Sequence, residues 1–301
     1  MTTNNYHVPV LLRESIEGLN IKPNGVYVDV TYGSGGHSIE IIKNLDTGKL
    51  IAFDQDEDAL QNKIDDKRFL LIHANFSFIK NFLALHNIEK VDGILADLGV
   101  SSYQINTPER GFSTRFDGPL DLRMNKNNPL TARDVVNTYE FEHLKMIFKI
   151  YGDLLHAHRI ADAIVNYRNK NEIITTSHLK DAIENLCQEH KKQKFFAQVF
   201  QSLRIEVNNE IDNLKNFLLQ TKELLLPQGR LAVISYHSAE DRLVKNFMRS
   251  GNFDGEILQD FYGNKQSPFR LINKKAIVAS EDELVLNKRA RSAKLRVAEI
   301  I

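Results

Sequence analysis

The feature that most constrains the fold is a β-branched run that stops at a glycine-rich turn. Val26-Tyr-Val-Asp-Val30 reads as a short strand, and Gly33-Ser-Gly-Gly36 follows it at once. A helical segment, roughly His37 to Leu45, comes next. Leu50-Ile-Ala-Phe53, closed by Asp54, is a second strand, followed by a polar helix near Glu57 to Lys63. Phe69-Leu-Leu-Ile72 and the segment around Ile94-Leu-Ala96 continue the series. Strand and helix signals in alternation predict an α/β fold with a parallel, doubly wound sheet. Ligands of such sheets bind outside the carboxyl ends of the strands.

The alternation stops near Thr107. Residues 108–128 mix glycines, prolines and asparagines with charges and read as a long loop. Helical stripes follow: Ile160, Ile164 and Tyr167; then Leu179, Ile183 and Leu186 after a cap at Thr176 or Ser177; then Phe196, Val199, Phe200 and Leu203. Ile211, Leu214 and Leu218 mark another helix, which Pro227 and Gly229 must end. Arg230-Leu-Ala-Val-Ile-Ser235 is strand-like again. The expected organisation is a discontinuous α/β domain, 1–106 and 207–301, interrupted by a helical insert, 107–206.

The composition is that of an ordinary globular chain, 42% hydrophobic and 26% charged over 301 residues. Cys187 is the only cysteine, which excludes an internal disulfide and a cysteine zinc cluster and fits a reducing compartment. The opening residues lack the pattern of a secretory signal, and no apolar run is long enough to span a bilayer, so a cytoplasmic location is expected. Lysines plus arginines equal aspartates plus glutamates, 39 each. Net charge therefore gives no pointer to nucleic acid, and local clusters have to supply one.

The glycine turn alone fits either a dinucleotide or S-adenosylmethionine. The dinucleotide fingerprint needs a third glycine for close helix–strand packing. Counting from Gly33, that place is Ser38. Adenosylmethionine carries a cationic sulfonium and ammonium and two ribose hydroxyls, so it calls for close backbone approach and nearby carboxylates. Asp29 and Asp97 end strands at the ligand edge, and Asp54 stands where a ribose-binding carboxylate is expected.

Longer motifs narrow the reading. They are His7-Val-Pro-Val-Leu-Leu12, Asp29-Val-Thr-Tyr-Gly-Ser-Gly-Gly-His-Ser38, Phe53-Asp-Gln-Asp56, Asp97-Leu-Gly-Val-Ser-Ser102 with Gln104, and Arg110-Gly-Phe-Ser113. Asp117-Gly-Pro-Leu-Asp-Leu-Arg-Met124, Phe200-Gln-Ser-Leu-Arg-Ile-Glu-Val-Asn208, Gly229-Arg-Leu-Ala-Val-Ile-Ser-Tyr-His-Ser238 and Arg289-Ala-Arg-Ser-Ala-Lys-Leu-Arg296 complete the set. From residue 7 to about 299 the chain closely resembles the bacterial ribosomal RNA small-subunit methyltransferase H family. The resemblance implies a class I, Rossmann-like, S-adenosylmethionine-dependent methyltransferase with an inserted all-helical domain for substrate recognition. It implies methylation of a cytidine N4 in the decoding region of 16S rRNA, presented within the small ribosomal subunit. The cofactor residues it implies are Gly35, Gly36, His37, Asp54, Phe76, Asp97 and Gln104. Two departures stand out: Lys194-Phe-Phe-Ala-Gln198 where many relatives carry His-Pro-Ala-Thr-Arg, and Ala239 where leucine is usual.

A cytosine amino group is a weak nucleophile because its lone pair is delocalised into the ring. It needs in-line placement and a hydrogen-bond acceptor beside it. Asp97, Ser101 and His237 are the candidates. Asp241 reads equally well as the start of a helix. RNA contact is expected from Lys288, Arg289, Arg291, Lys294 and Arg296, the densest basic stretch, while Arg110, Arg115 and Arg123 have Asp117 and Asp121 as possible partners. Cys187 falls outside every strand-end motif, on the apolar side of the Leu179–Leu186 helix, so the thiolate route to C5 methylation has no nucleophile. Two other classes stay open: a nicotinamide-dependent oxidoreductase, against which Ser38 argues, and a non-catalytic ribosome-assembly factor, which only turnover distinguishes from an enzyme.

Overall fold

The computed structural model describes residues 9–259, 261–263 and 265–301; His7 and Val8 of the opening motif lie outside them. Among the described residues the chain divides into two units. One comprises the residues up to Gly99 together with Ile211–Ile301, the other Val100–Glu210.

The first unit is built on strands β1 (Val26–Asp29), β2 (Lys49–Asp54), β3 (Phe69–His73), β4 (Val91–Asp97) and β5 (Leu225–Ser235). A separate hairpin, β6 (Leu258–Gln259) with β7 (Lys265–Gln266), precedes β8 (Phe269–Leu271) and β9 (Lys294–Ile300). The main sheet has the order β3-β2-β1-β4-β5-β9-β8. The first five strands are mutually parallel, while β9 runs antiparallel to both β5 and β8.

The strands read as continuous apolar runs because both faces are covered. Alternation along each strand divides the side chains between the faces. Val28, Ile51, Phe53, Ile94, Ala96, Leu231 and Val233 point to one core; Tyr27, Leu50, Ala52, Leu95, Ala232 and Ile234 point to the other. Helices α1 (Leu12–Leu19) and α2 (Gly36–Lys43) cover the second face, and α3 (Ile79–Leu85) covers the first.

The second unit holds α4 (Ser102–Asn106), α5 (Ala132–Thr138), α6 (Phe141–Ile150), α7 (Ala157–Arg168), α8 (Thr176–Ile183) and α9 (Lys192–Val207). They share a core of their own, with Ile147, Phe148, Ile160, Ile164, Leu179, Val199 and Leu203 at its centre. The cap of α8 is Thr175, not Thr176 or Ser177. The Thr176 hydroxyl is engaged instead by the loop, donating to Phe116 O and accepting from the Gly118 N–H. That loop is held internally. Arg110 donates to the carbonyls of Arg123 and Met124, Arg123 pairs with Asp121, and the Asn208 amide joins Leu122 to Met124. Asp117 accepts from the Ser177 N–H instead of an arginine, while Arg110 and Arg123 are engaged within the loop.

Cys187 departs from the sequence reading. Helix α8 ends at Ile183, and Leu186 is exposed. Cys187 lies beyond a 3-10 turn, Glu184–Leu186, in extended backbone, and is half-buried rather than enclosed. Burial still pushes its thiol pKa up.

Back in the first unit, α10 (Glu210–Leu224) packs Leu214, Phe217 and Leu218 onto the sheet, and α11 (Ser238–Ser250) adds Val244, Phe247 and Met248; α12 (Glu281–Leu286) is a short surface helix. Helix α10 stops before Pro227. Both Pro227 and Gly229 belong to β5, where the register jumps from Val91 opposite Leu225 to Gly93 opposite Arg230. An irregularity of that kind lets a proline sit in a strand.

Candidate active site

Asp29, Asp54 and Asp97 end β1, β2 and β4, which lie side by side with β1 in the middle. From β1 the chain fills the sheet first on the β2 side and then, with β4, on the other. This reversal is the switch point at which open α/β sheets bind ligands.

Asp29 is buried and satisfied locally, its Oδ2 accepting the Ser38 hydroxyl at 2.7 Å and its Oδ1 the Thr31 N–H at 3.1 Å. It ties β1 to the first turn of α2. Asp54 closes the glycine turn: Oδ2 accepts the Gly33 N–H at 2.7 Å and Oδ1 the Asp56 N–H at 2.8 Å. A carboxylate has about four acceptor positions, so Asp54 retains two for a ligand. Asp97 is anchored through its backbone N–H to Thr31 Oγ1 at 2.6 Å, and its Oδ1 accepts the Tyr236 hydroxyl at 2.7 Å.

Desolvation dominates the electrostatics. Burial pushes Asp29 and Asp54 up to about 6 and Asp97 up to about 7. Hydrogen bonds oppose the rise, and neighbouring carboxylates add to it: Asp29 beside both Asp54 and Asp97, Asp56 beside Asp54, and Glu240 beside Asp97. Among the described residues no lysine or arginine pairs with any of the three. His37 does not compensate them. Its Nδ1 lies 3.8 Å from Asp97 Oδ2, too far for a hydrogen bond. Burial holds the ring down to about 4, hence neutral. The edge is short of positive charge, as a site for a cationic ligand should be.

The turn is shaped for close approach. Gly33 has φ +55° and nothing within 4 Å of the place a side chain would occupy, so its backbone faces open space. Gly36 is the opposite case: a Cβ there would meet the Pro9 ring at 2.2 Å. The segment carrying Pro9 lies over the start of α2. His37 Nε2 donates to Val10 O at 3.1 Å, and the Leu11 N–H donates to Glu283 Oε1 at 2.8 Å, holding the segment from α12. Pro9, Val10 and Tyr236 fall inside the quoted motifs with no role assigned from the sequence, and Glu283 falls in none of them. The signal for Tyr236 was present, a polar aromatic immediately after β5.

The remaining candidates are placed as follows. Phe76 opens a 3-10 turn, Phe76–Phe78, just after β3, with its ring edge-on to Phe217 at 5.4 Å between centroids. Ser101 and Gln104 belong to the second unit and form the capping box of α4: Ser101 Oγ accepts the Gln104 N–H, and Gln104 Oε1 accepts the Ser101 N–H at 3.0 Å. His237 caps α11, Nδ1 accepting the Glu240 N–H at 3.4 Å. Its buried Nε2 lies 3.0 Å from Glu240 Oε1 but out of line for a hydrogen bond. Asp241 lies inside α11 and pairs with Arg296 Nε at 2.7 Å and Lys294 Nζ at 3.3 Å. The basic stretch is thus two structures. Lys288, Arg289 and Arg291 lie on a 3-10 turn with Lys288 and Arg291 exposed, whereas Lys294 and Arg296 belong to β9 and are held by Asp241. Both are ion-pair partners of Asp241, which engages Arg296 through Nε and leaves its terminal nitrogens to other acceptors.

Residues 4–301 match the MraW methylase family. The chain belongs to the MraW methylase family. It is similar along its length to proteins named ribosomal RNA small subunit methyltransferase H. That of Christiangramia forsetii is 56% identical over 294 residues, 97% of each chain. That of Flavobacterium johnsoniae is 55% identical over 301 residues, 100% of this chain and 99% of the relative. That of Bacteroides fragilis is 54% identical over 295 residues, 98% and 97%. As a MraW methylase the protein is an α/β methyltransferase that uses S-adenosylmethionine. The uncompensated carboxylates, the two spare acceptor positions on Asp54 and the open backbone at Gly33 fit that sulfonium cofactor.

Proposed function

We propose that this MraW methylase transfers a methyl group to the N4 amino group of a cytidine in the decoding region of 16S rRNA, within the small ribosomal subunit and in the cytoplasm. The names of its relatives support the ribosomal substrate. Among the described residues no helix is long and apolar enough to cross a membrane. The observation that carries the chemistry is the Asp97 carboxylate, held at the end of β4 by Tyr236 with a pKa raised to about 7.

In this reading Asp54 accepts hydrogen bonds from the ribose hydroxyls. Gly35, Gly36 and the His37 backbone line the methionine end, and Phe76 borders the base. Gln104 is a further cofactor contact. When bound, S-adenosylmethionine supplies a methyl group on a cationic sulfur that departs as a neutral thioether. Asp97 accepts a hydrogen bond from the cytosine N4–H, which draws the lone pair out of the ring and toward the methyl carbon. As the N–C bond forms, nitrogen becomes positive, and its proton passes to Asp97. A general base is most effective when its pKa lies near the working pH. Ser101 and His237 are further catalytic candidates, although each is engaged as a helix cap. The helical unit, residues 107–206 by sequence, recognises the RNA, aided by Lys288, Arg289 and Arg291.

The test is methyl transfer to small ribosomal subunits from cells lacking this protein, followed by digestion and chromatography of the nucleosides. N4-methylcytidine is expected. Label in 5-methylcytidine, or none in 16S rRNA, would overturn the reading.

A further inference from the structure

A cavity of about 160 Å³ opens on the flank of the first unit, with none of the three aspartates in its lining. Lys245 and Arg249 of α11, Lys274 after β8 and Arg296 of β9 form its wall, over Met248 and Val297. We propose that this cleft binds a phosphodiester of the substrate RNA strand beside the active edge; the inference rests on the RNA methyltransferase reading above.

Charge comes first. The chain as a whole is balanced, so four basic residues around one concavity are a local excess rather than a reflection of composition. Among the described residues no carboxylate pairs with Lys245, Arg249 or Lys274. The acid beside them, Asp241, is already shared by Lys294 and Arg296. Arg249 donates from Nη2 to Gly255 O at 2.7 Å, and Arg296 donates from Nε to Asp241. Both guanidinium planes are therefore fixed while keeping donors for an anion, and a planar fork held in place suits phosphate oxygens.

Convergence comes second. Lys245 and Arg249 are four apart on one helix face, and exposed Arg242 extends that row. Lys274 and Arg296 reach the same cavity from separate segments, and Asn273 holds them together, its Oδ1 accepting the Val297 N–H at 2.7 Å. A solvated helix face does not need three chain segments around a concavity.

Size and place select the ligand. Sites for whole small molecules usually occupy about 300–1,000 Å³. This cavity is smaller and suits a single phosphate group held by the basic side chains at its mouth. In the antiparallel register Lys294 lies opposite Ser235, where β5 ends, and Arg296 lies opposite Val233. Asp97 lies opposite Ile234 and Ile234 opposite Leu295, so β9 runs two strands, about 10 Å, from the Asp97 end of β4. An RNA strand with its base at Asp97 can thus continue over the edge into the cleft.

The experiment uses the full chain and three proteins: the parent, Lys245→Gln/Arg249→Gln/Lys274→Gln, and a control with the same loss of charge, Lys49→Gln/Lys63→Gln/Lys67→Gln. Binding of a fluorescein-labelled fragment of the 16S decoding region is titrated across salt concentrations, and adenosylmethionine affinity is measured calorimetrically. The cleft variant should bind the RNA at least about tenfold more weakly, with a log–log salt slope smaller by about 0.7, the contribution of one single-strand phosphate contact. Its cofactor affinity should match the parent's, and the control should bind RNA like the parent. Equal RNA affinity and slope in the cleft variant and a binding-competent parent would overturn the cleft alone. A parent that binds no RNA would overturn the cleft and the substrate reading together. Cytidine monophosphate or inorganic phosphate binding the parent at micromolar concentration, and lost in the cleft variant, would assign the site to a free anion instead.

Discussion

Tyr236, the residue after β5, donates its hydroxyl to Asp97 at the end of β4 at 2.7 Å. The two strands are neighbours in the sheet, so the bond links adjacent strand ends. It lowers the Asp97 pKa against a larger rise from burial, and burial with the nearby charge raises the Tyr236 phenol, which stays protonated as the donor.

Tyr236→Phe keeps the ring and removes the donor. Asp97 should then hold its proton to higher pH. Because the base acts as the carboxylate, the parent's kcat should rise with pH through about 7, and in the variant that limb should move upward. At neutral pH kcat should fall about 10- to 100-fold, the scale of a hydrogen bond to a charged group. An unmoved limb in the kcat–pH profile would remove the pair from the proton path.

Cofactor affinity should itself depend on pH. Asp29 and Asp54 sit at about 6 and Asp97 at about 7, all above the ordinary carboxylate value. Raised values mean that the folded protein without cofactor binds protons the unfolded chain has released, so these groups cost stability as pH rises from about 4 toward 7. A bound cation favours the carboxylate forms and offsets that cost. Adenosylmethionine should therefore bind more tightly, and raise Tm further, at pH 8 than at pH 5.5. Calorimetry giving equal Kd at both values would contradict the anionic-edge account.

Asp54→Ala should weaken adenosylmethionine by about 1.5–3 kcal/mol while the protein stays folded. Part of the loss comes from the Gly33 and Asp56 N–H groups, which the carboxylate holds in place. Unchanged affinity in a variant with parental circular dichroism would exclude Asp54 from the ribose site.

Gly36→Ala should be destabilising by about 1–3 kcal/mol, the usual cost of overpacking, because a methyl group there has only the rigid Pro9 ring to displace. Pro9→Ala in the same chain should recover part of the loss. Urea titrations of the single and double variants measure it; additive losses would mean that Pro9 does not press on the turn.

Cys187→Ser should keep most of its activity, and no RNA adduct should form at Cys187. The thiol is half-buried in the helical unit, and burial raises its pKa, the wrong direction for a nucleophile. Inactivity in a folded serine variant, with a trapped adduct in the parent, would point to a covalent route.

Much of this was legible. The parallel strands stood out because each is apolar on both faces, and the ligand edge followed from the glycine turn and the strand-end aspartates. Strand β9 was not, because Lys294 and Arg296 alternate with Leu295 and Val297, and the two charges outweigh a short apolar row. Their pairing with Asp241 on α11 is what shows that both lie in the sheet. Helix α10 does stop before Pro227, but the proline itself lies in β5, where a register shift accommodates it. Tyr236 and Asp97 meet only because β4 and β5, separated in sequence by the whole helical unit, are neighbours in the sheet. Periodicity does not report such non-local pairing.

The bond between Leu11 and Glu283 joins residues 272 positions apart, and β9 enters the sheet between β5 and β8. During synthesis the glycine turn therefore leaves the ribosome long before the segment that secures it exists. A translation product that stops before β9 also leaves β5 as an open edge carrying the apolar row Leu231–Ile234. Exposed edges of that kind recruit other strands. Premature termination would thus yield an aggregation-prone fragment rather than a weak enzyme.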